Sequence, residues 1–328
     1  MKLLGQVINV RIFSYLCKKN SGKLLSFIKL LPMRKFLNSA AAILSVILLM
    51  YGCEGIEGPV EPDFSNIPDT LDITDEFDPL FAQMLEDRGY IPDASVIRFA
   101  DVRYLNNVDV SADSEDGGSL NSVMGIRWMQ NLETFICSGQ SIQEMDLTDN
   151  LFLNILDCSN NQISKLDLSG NEQLVEFSCS NNKISELTLD RCFSLEELNC
   201  ENMMLTELDL SNCRKLRFLQ CSNNAIVMLD VSKNHLLDNL FCSGNSIKDL
   251  NISENVLLGA LECSDNSLKS LNISSNNRLL TLGCSGNPGD GSIFLLNAWF
   301  GEEYIPLTIY DYEWEYNGHT VSVKINQK

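Results

Sequence analysis

The chain has 328 residues, with 24 basic and 44 acidic side chains, a net charge of −20, and 12 cysteines against only two histidines. So acidic a chain argues against a nucleic-acid binder, because phosphates are met by Lys and Arg. The charge is also uneven: residues 1 to 52 hold eight Lys or Arg and no Asp or Glu, which leaves 16 basic against 44 acidic residues from 53 onward, a net charge of −28.

Within the basic stretch, Met33-Arg34-Lys35 and the apolar run Ala40 to Met50 have the charged start and apolar core of a secretory signal. The run is short for a membrane span of roughly 30 Å. It ends Leu48-Leu49-Met50-Tyr51-Gly52-Cys53. A small residue before Cys, after an apolar run, resembles the lipobox of bacterial lipoproteins, although Tyr51 is unusual at its position. The resemblance implies a signal region 1–52, with the signal itself in 33–52, and lipid attachment at Cys53. It implies a cell-envelope protein, lipid-anchored at the outer membrane or cell surface. The acidic chain beyond Cys53 argues against electrostatic docking on anionic lipid, so the anchor alone would hold it. Residues 53–74 are rich in Gly, Pro, Asp and Glu and read as a flexible tether. Glu54, Glu57 and Glu61 resemble the acidic export cue of surface lipoproteins in the Bacteroidetes.

Residues 75–131 read as an N-terminal cap. Asp78-Pro79 is a helix start, with Asp as N-cap and Pro in the first turn; Phe81, Met84 and Leu85 share one face and Gly89 is a stop. A second helical piece is expected over Ala94–Tyr104. Val108-Asp109-Val110-Ser111 echoes the second half of the repeat described next. The acidic insertion Asp113 to Gly118 lacks the spacing and closing Glu of an EF-hand, so no calcium is assigned.

From 132 to 287 the chain repeats. Cys137, Cys158, Cys179, Cys200, Cys221, Cys242, Cys263 and Cys284 are each 21 residues apart. A Leu stands five residues before every one of them, and Leu or Phe two before. Asn follows three after, except at Gln140 and Met203. The unit reads L-x-x-L-x-C-S-x-N-x-I/L-x-x-L-D-L-S-x-N, with Glu201 in place of Ser, and Cys192 and Cys213 in place of the second Asn. It resembles the leucine-rich repeat family. The 21-residue unit with Cys, its D-L-S half and the lead-in Gly125 to Leu132 are most similar to the internalin-like repeats of bacterial surface proteins. The resemblance implies a repeat solenoid: a right-handed arc with a parallel β-sheet on its concave face, a helical N-terminal cap and a β-hairpin C-terminal cap.

The alternation L-x-L-x-C independently gives a strand with Leu and Cys inward. Such a strand cannot bury its apolar side alone, but stacked copies make one continuous core. The Asn after each strand is expected to bond backbone groups where the chain turns inward, forming a ladder. The cysteines are read as buried packing thiols. The two histidines and the lack of Cys-x-x-Cys give no metal spacing. Cys192 and Cys213 are the one pair to check for a disulfide.

Residues 288–328 alternate apolar and polar side chains. Glu313 to Tyr316, Asn317-Gly318 and Thr320 to Val323 predict a hairpin in a C-terminal cap. Trp299, Tyr304, Tyr310 and Tyr312 are expected to pack in that cap, with a binding patch as the alternative.

No phosphate loop, nucleophile with a base, or metal spacing is present, so the chain is not read as an enzyme and no cofactor is assigned. The candidate binding residues lie between the inward columns: Glu176, Glu197, Asn199, Glu201, Phe218, Gln220, Phe241 and Glu262. Phe218 and Phe241 fall in outward slots of adjacent strands, which resembles a recognition patch inside an acidic rim; packing of the two rings against each other is the alternative. The Ser column beside the cysteines reads as a hydrogen-bonding ladder. The expected function is non-catalytic binding of a protein partner by a monomeric surface lipoprotein, in adhesion or cell interaction. Glycan binding and a purely structural envelope role are the alternatives.

Overall fold

The computed structural model describes residues 64, 66–112 and 118–328. The signal, Cys53, the tether through residue 63 together with residue 65, and residues 113–117 of the acidic insertion lie outside the described residues.

Each repeat contributes one three-residue strand whose middle side chain is buried: β2 (Thr134–Ile136), β3 (Ile155–Asp157), β4 (Glu176–Ser178), β5 (Glu197–Asn199), β6 (Phe218–Gln220), β7 (Asn239–Phe241), β8 (Ala260–Glu262) and β10 (Thr281–Gly283). They pair in parallel and in equivalent register, so Phe135, Leu156, Phe177, Leu198, Leu219, Leu240, Leu261 and Leu282 form one inward column. Two more inward columns flank it, Leu132 to Leu279 before the strands and Cys137 to Cys284 after them, and all of these side chains are buried. Removing one such Leu side chain from water contributes about 1.5–3 kcal/mol, and stacking extends that gain from repeat to repeat.

The turn after each strand is left-handed. The residue immediately before the ladder Asn or its equivalent has φ of 50–75° in every unit: Gly139, Asn160, Asn181, Asn202, Asn223, Gly244, Asp265 and Gly286. Here φ is positive, and Gly, Asn and Asp are the side chains that tolerate it. The ladder Asn then closes the turn. The Asn182 side-chain amide donates to the carbonyls of Cys179 and Cys158, each at 2.9 Å, while its oxygen accepts the Ile163 amide at 2.9 Å. Asn161, Asn224, Asn245, Asn266 and Asn287 repeat this pattern. Gln140 substitutes well, donating to Val110 O at 2.7 Å and accepting from Leu120 N at 3.1 Å. Met203 cannot, so the Ile184 amide receives no acceptor from that position.

A second ladder runs through the other turn. Asn150, Asn171, Asn234, Asn255 and Asn276 are wholly buried, and each donates to two backbone carbonyls of the preceding repeats, as Asn171 does to Leu147 O at 3.1 Å and Asn150 O at 3.0 Å. Cys192 and Cys213 interrupt it. Among the described residues all ten cysteines are buried and free.

The sheet has ten strands, not only the eight that the cysteine period marks. β1 (Asn107–Asp109) pairs with β2, and β12 (Thr308–Ile309) pairs with β10. Val108 therefore takes the strand position opposite Phe135, not the second-half position that its sequence echoed. The outer edge of β1 is covered by side chains. The Tyr90 hydroxyl accepts the Asp109 amide at 2.9 Å, and Arg88 donates to Asp109 O at 3.2 Å and Ser111 O at 2.6 Å. These partners satisfy backbone groups that an edge strand leaves open.

Before β1, helix α1 (Pro79–Asp87) starts at Asp78, whose carboxylate accepts the Leu80 and Phe81 amides. It buries Phe81, Ala82 and Leu85, while Met84 is half-buried, and the chain leaves it through Gly89 at φ 76°. The expected helix over Ala94–Tyr104 shrinks to one turn, α2 (Phe99–Val102). The reason lies in the backbone around it: Ile97 and Phe99 exchange hydrogen bonds with Ile73 and Leu71, which holds the segment extended up to Arg98. At the other end, β13 (Glu313–Tyr316) and β14 (His319–Gln327) form the expected hairpin through Asn317 and Gly318, both at positive φ. β14 pairs with β11 (Ile293–Ala298), which pairs with β9 (Ser270–Asn272) of the last second-half turn. Trp314 donates to Asn287 O at 2.7 Å and packs edge-on against Phe294, closing the end of the core.

These bonds set two expectations for stability. Asn182→Ala orphans one amide and two carbonyls and should cost about 3 kcal/mol, read as a lower urea midpoint. Met203→Asn restores the missing bonds and should raise the midpoint by about 1 kcal/mol equivalent, with its smaller apolar burial limiting the gain.

Candidate functional site

The period of two places every candidate residue on the open face of the sheet. Glu176, Glu197 and Phe218 lead β4, β5 and β6, and pair with one another in that order. Asn199, Gln220, Phe241 and Glu262 end β5 to β8 and likewise pair in sequence. Glu201 lies two residues beyond Asn199. Its carboxylate accepts the Asn223 side chain at 3.2 Å, and its backbone amide donates to Asn199 Oδ1 at 3.2 Å. The eight residues thus form one continuous patch over five strands.

Phe218 and Phe241 do not stand in one column. They sit diagonally on β6 and β7, with ring centroids 5.5 Å apart and planes at 52°. Both are half-buried. The contact gives the aromatic pair a fixed mutual orientation, and the outer ring faces stay available.

Glu262 has a different setting. It pairs with Phe241 on one side and Gly283 on the other. Its carboxylate leans over Gly283, since a Cβ built there would lie 1.7 Å from Oε2. Burial pushes its pKa up from the ordinary carboxylate value. Beyond Gly283 the next strand is β12, which leads into Tyr310, whose amide bonds Leu282 O. Tyr310 is 58% exposed, and Tyr304 and Tyr312 are exposed too. The expectation that these tyrosines pack in the cap is therefore not met. Because β12 extends the open sheet, an alternating segment there must turn every second side chain outward. Trp299 does pack, edge-on against Phe300.

The Ser column is a ladder only in part. Ser243 Oγ accepts the Ser264 amide, and Ser264 meets Ser285, whereas Ser159 and Ser222 bond Asp157 and Gln220 on their own strands. A depression of 140 Å³ lies at the start of the strands, lined by Arg217, Leu236, Asp238, Leu257 and Arg278. It is smaller than the roughly 300–1,000 Å³ typical of small-molecule sites. Among the described residues no three His, Cys, Asp or Glu side chains converge as metal ligands.

The thiols do not offer chemistry of their own. Burial pushes Cys200, Cys213 and Cys242 up to about 12 and Cys192 up to about 11. A thiol is nucleophilic only as the thiolate. In the native protein none of the ten described cysteines should therefore react with a thiol reagent at pH 8, while all ten should react in denaturant; peptide mapping of the labelled sites checks this.

No protein-family model matches the chain, and no curated protein matches it. Solved structures do resemble it. It is similar to the functional domain of InlJ from Listeria monocytogenes, which includes a cysteine ladder, with 23% identity over 79% of this chain and 63% of that one and a TM-score of 0.57. An internalin, InlF, from the same organism shares 20% identity over 76% of this chain and 74% of that one, with a TM-score of 0.60. A leucine-rich repeat protein of Leptospira interrogans shares 20% identity over 58% of this chain and 57% of that one, with a TM-score of 0.52. The chain thus spans less than two thirds of the InlJ domain and of the Leptospira protein. The shared architecture, with the cysteine column and the parallel sheet in register, makes this chain a leucine-rich repeat fold of the kind that internalins carry.

Proposed function

We propose that this is a non-catalytic surface lipoprotein, anchored in the cell envelope through Cys53, that binds a protein partner on the concave face of its repeat sheet. The observation that carries the reading is the Phe218–Phe241 contact on an open sheet face, with Glu197, Asn199, Gln220 and Glu262 around it. Neither ring is needed by the core, which the inward columns fill without them. Two half-buried aromatics in contact within a polar rim, each keeping one face open, have the make-up of an interface hot spot. The lipobox-like end of the signal and the acidic residues after Cys53 support the anchored, surface location. The internalin-like fold supports recognition of a protein.

The test is a binding screen of the chain against arrayed proteins and glycans at low and high salt, beside a Phe218→Ser, Phe241→Ser double variant. A protein hit that weakens with salt, because the chain is so acidic, and that falls at least about tenfold in the variant is the expected result. A salt-insensitive glycan hit lost in the variant would replace the partner class. Binding that survives both substitutions would move the site off the concave face.

A further inference from the structure

Across β7, β8, β10 and the end of β12, the outward residues Phe241, Glu262, Gly283 and Tyr310 stand in one row. Phe241 pairs with Glu262 and Glu262 with Gly283; the pairing of Leu282 with Ile309 puts Tyr310 beside Gly283. The row reads aromatic ring, carboxylate, gap, aromatic ring. At about 4.8 Å per strand its two rings are roughly 14 Å apart. The gap exists because position 283 has no side chain, and the Glu262 carboxylate leans into it.

That carboxylate differs from those of Glu176 and Glu197 on the same face, which are exposed to water. Glu201 bonds Asn223, and Ser159 bonds Asp157. Among the described residues no hydrogen-bond donor or cation meets the Glu262 carboxylate, although it is half-buried. A carboxylate held out of water without a partner costs free energy that a bound cation would recover. Three residues further along the same repeat, Asp265 leans in the same way over Gly286, which adds a second negative charge on the same repeat. The 44 acidic residues against 16 basic ones beyond residue 52 favour the same sign of ligand.

We infer that the Phe241–Glu262–Gly283–Tyr310 row is a receptor for an arginine side chain presented by the protein partner. This rests on the concave face being the binding face. Arginine fits better than lysine, because a planar guanidinium can meet a carboxylate through two parallel bonds while its face lies against an aromatic ring. Gly283 leaves room for the carboxylate to lie low on the sheet, with Tyr310 flanking it on one side and Phe241 beyond Glu262 on the other. Glu262 sets the specificity, and the Phe218–Phe241 pair supplies apolar contact beside it.

The probe is an N-acetylated Gly-Arg-Gly amide carrying a fluorine label, followed by ligand-observed NMR against the full chain. Its twin contains citrulline, which keeps the shape and removes the charge. Arginine-dependent broadening is expected, with the citrulline peptide at least about tenfold weaker. Glu262→Gln, which keeps size and fold, should weaken the arginine peptide to the citrulline level, and Tyr310→Ser should weaken it several-fold. Glu207→Gln, an exposed carboxylate off the open face, should change nothing. Equal binding of both peptides, no broadening at about 10 mM peptide, or an unchanged Glu262→Gln variant would each overturn the inference. If a screened partner loses affinity with Phe218→Ser, Phe241→Ser but not with Glu262→Gln, the concave-face reading stands and the arginine receptor falls. If neither variant matters to that partner, both fall.

Discussion

The structure depends on how one asparagine per repeat disposes of backbone that must turn inside. A coil of 21 residues bends sharply after each strand, and the bend points carbonyls at the interior, where water cannot reach them. Asn182 takes two of those carbonyls and one amide at once, one carbonyl and the amide from the preceding coil and one carbonyl from its own. Few side chains could do this. Asp has no donor, Ser has one, and Gln is a methylene longer, which suits only position 140, where the preceding coil is irregular. The ladder therefore couples each repeat to the one before it. The Leu columns supply the driving force for stacking, while the asparagines remove the penalty that would otherwise oppose it.

The interruptions fall together. The unit from 195 to 215 has Met203 where the first ladder asparagine should be and Cys213 where the second should be, and Cys192 breaks the second ladder one unit earlier. The same unit carries Glu197, Asn199 and Glu201 on its open face. Its place in the stack then rests on its apolar columns and on its neighbours, whose own ladders resume at Asn224 and Asn234. Buried Met and Cys satisfy packing there without satisfying backbone. This is where a nearest-neighbour account of solenoid stability places the weakest junction.

Much of the architecture was legible because a strict period ties each side chain to a direction. The strands, the inward columns, the first ladder, the Asp78 helix start and the Asn317-Gly318 hairpin all follow from local patterns. The ends of the sheet were not legible. Val108 precedes Phe135 by 27 residues, and Ile309 follows Leu282 by 27, so both flanking strands escape a search for a 21-residue repeat. Tyr310 was misplaced for the same reason: without β12, its alternation looked like cap packing. The second helix shrank because pairing with residues 71 to 73 outcompeted local helical preference. At the site, the outward direction of all eight residues could be read from the sequence. The sequence leaves mutual packing of Phe218 and Phe241 open as an alternative, but neither its diagonal geometry nor the carboxylate of Glu262 lying over Gly283 could be read. Both depend on how side chains lean across strands, which no single-chain periodicity encodes.

The open face itself separates folding demand from function. Inward positions are fixed by the core, so a strand is free to vary only in its outward slots. Beyond the Phe218–Phe241 contact, stacking does little to favour what stands there. Glu176 and Glu197 are directly paired on neighbouring strands, an arrangement of like charges that destabilises a sheet. Phe218 and Phe241 leave aromatic surface facing water, and Glu262 is partly desolvated without a partner. Each feature is unfavourable in the isolated chain, and each becomes favourable against a surface that is basic and partly apolar. Three separate costs on adjacent strands, all relieved by one kind of ligand, are what the proposed partner would account for and the requirements of the solenoid do not.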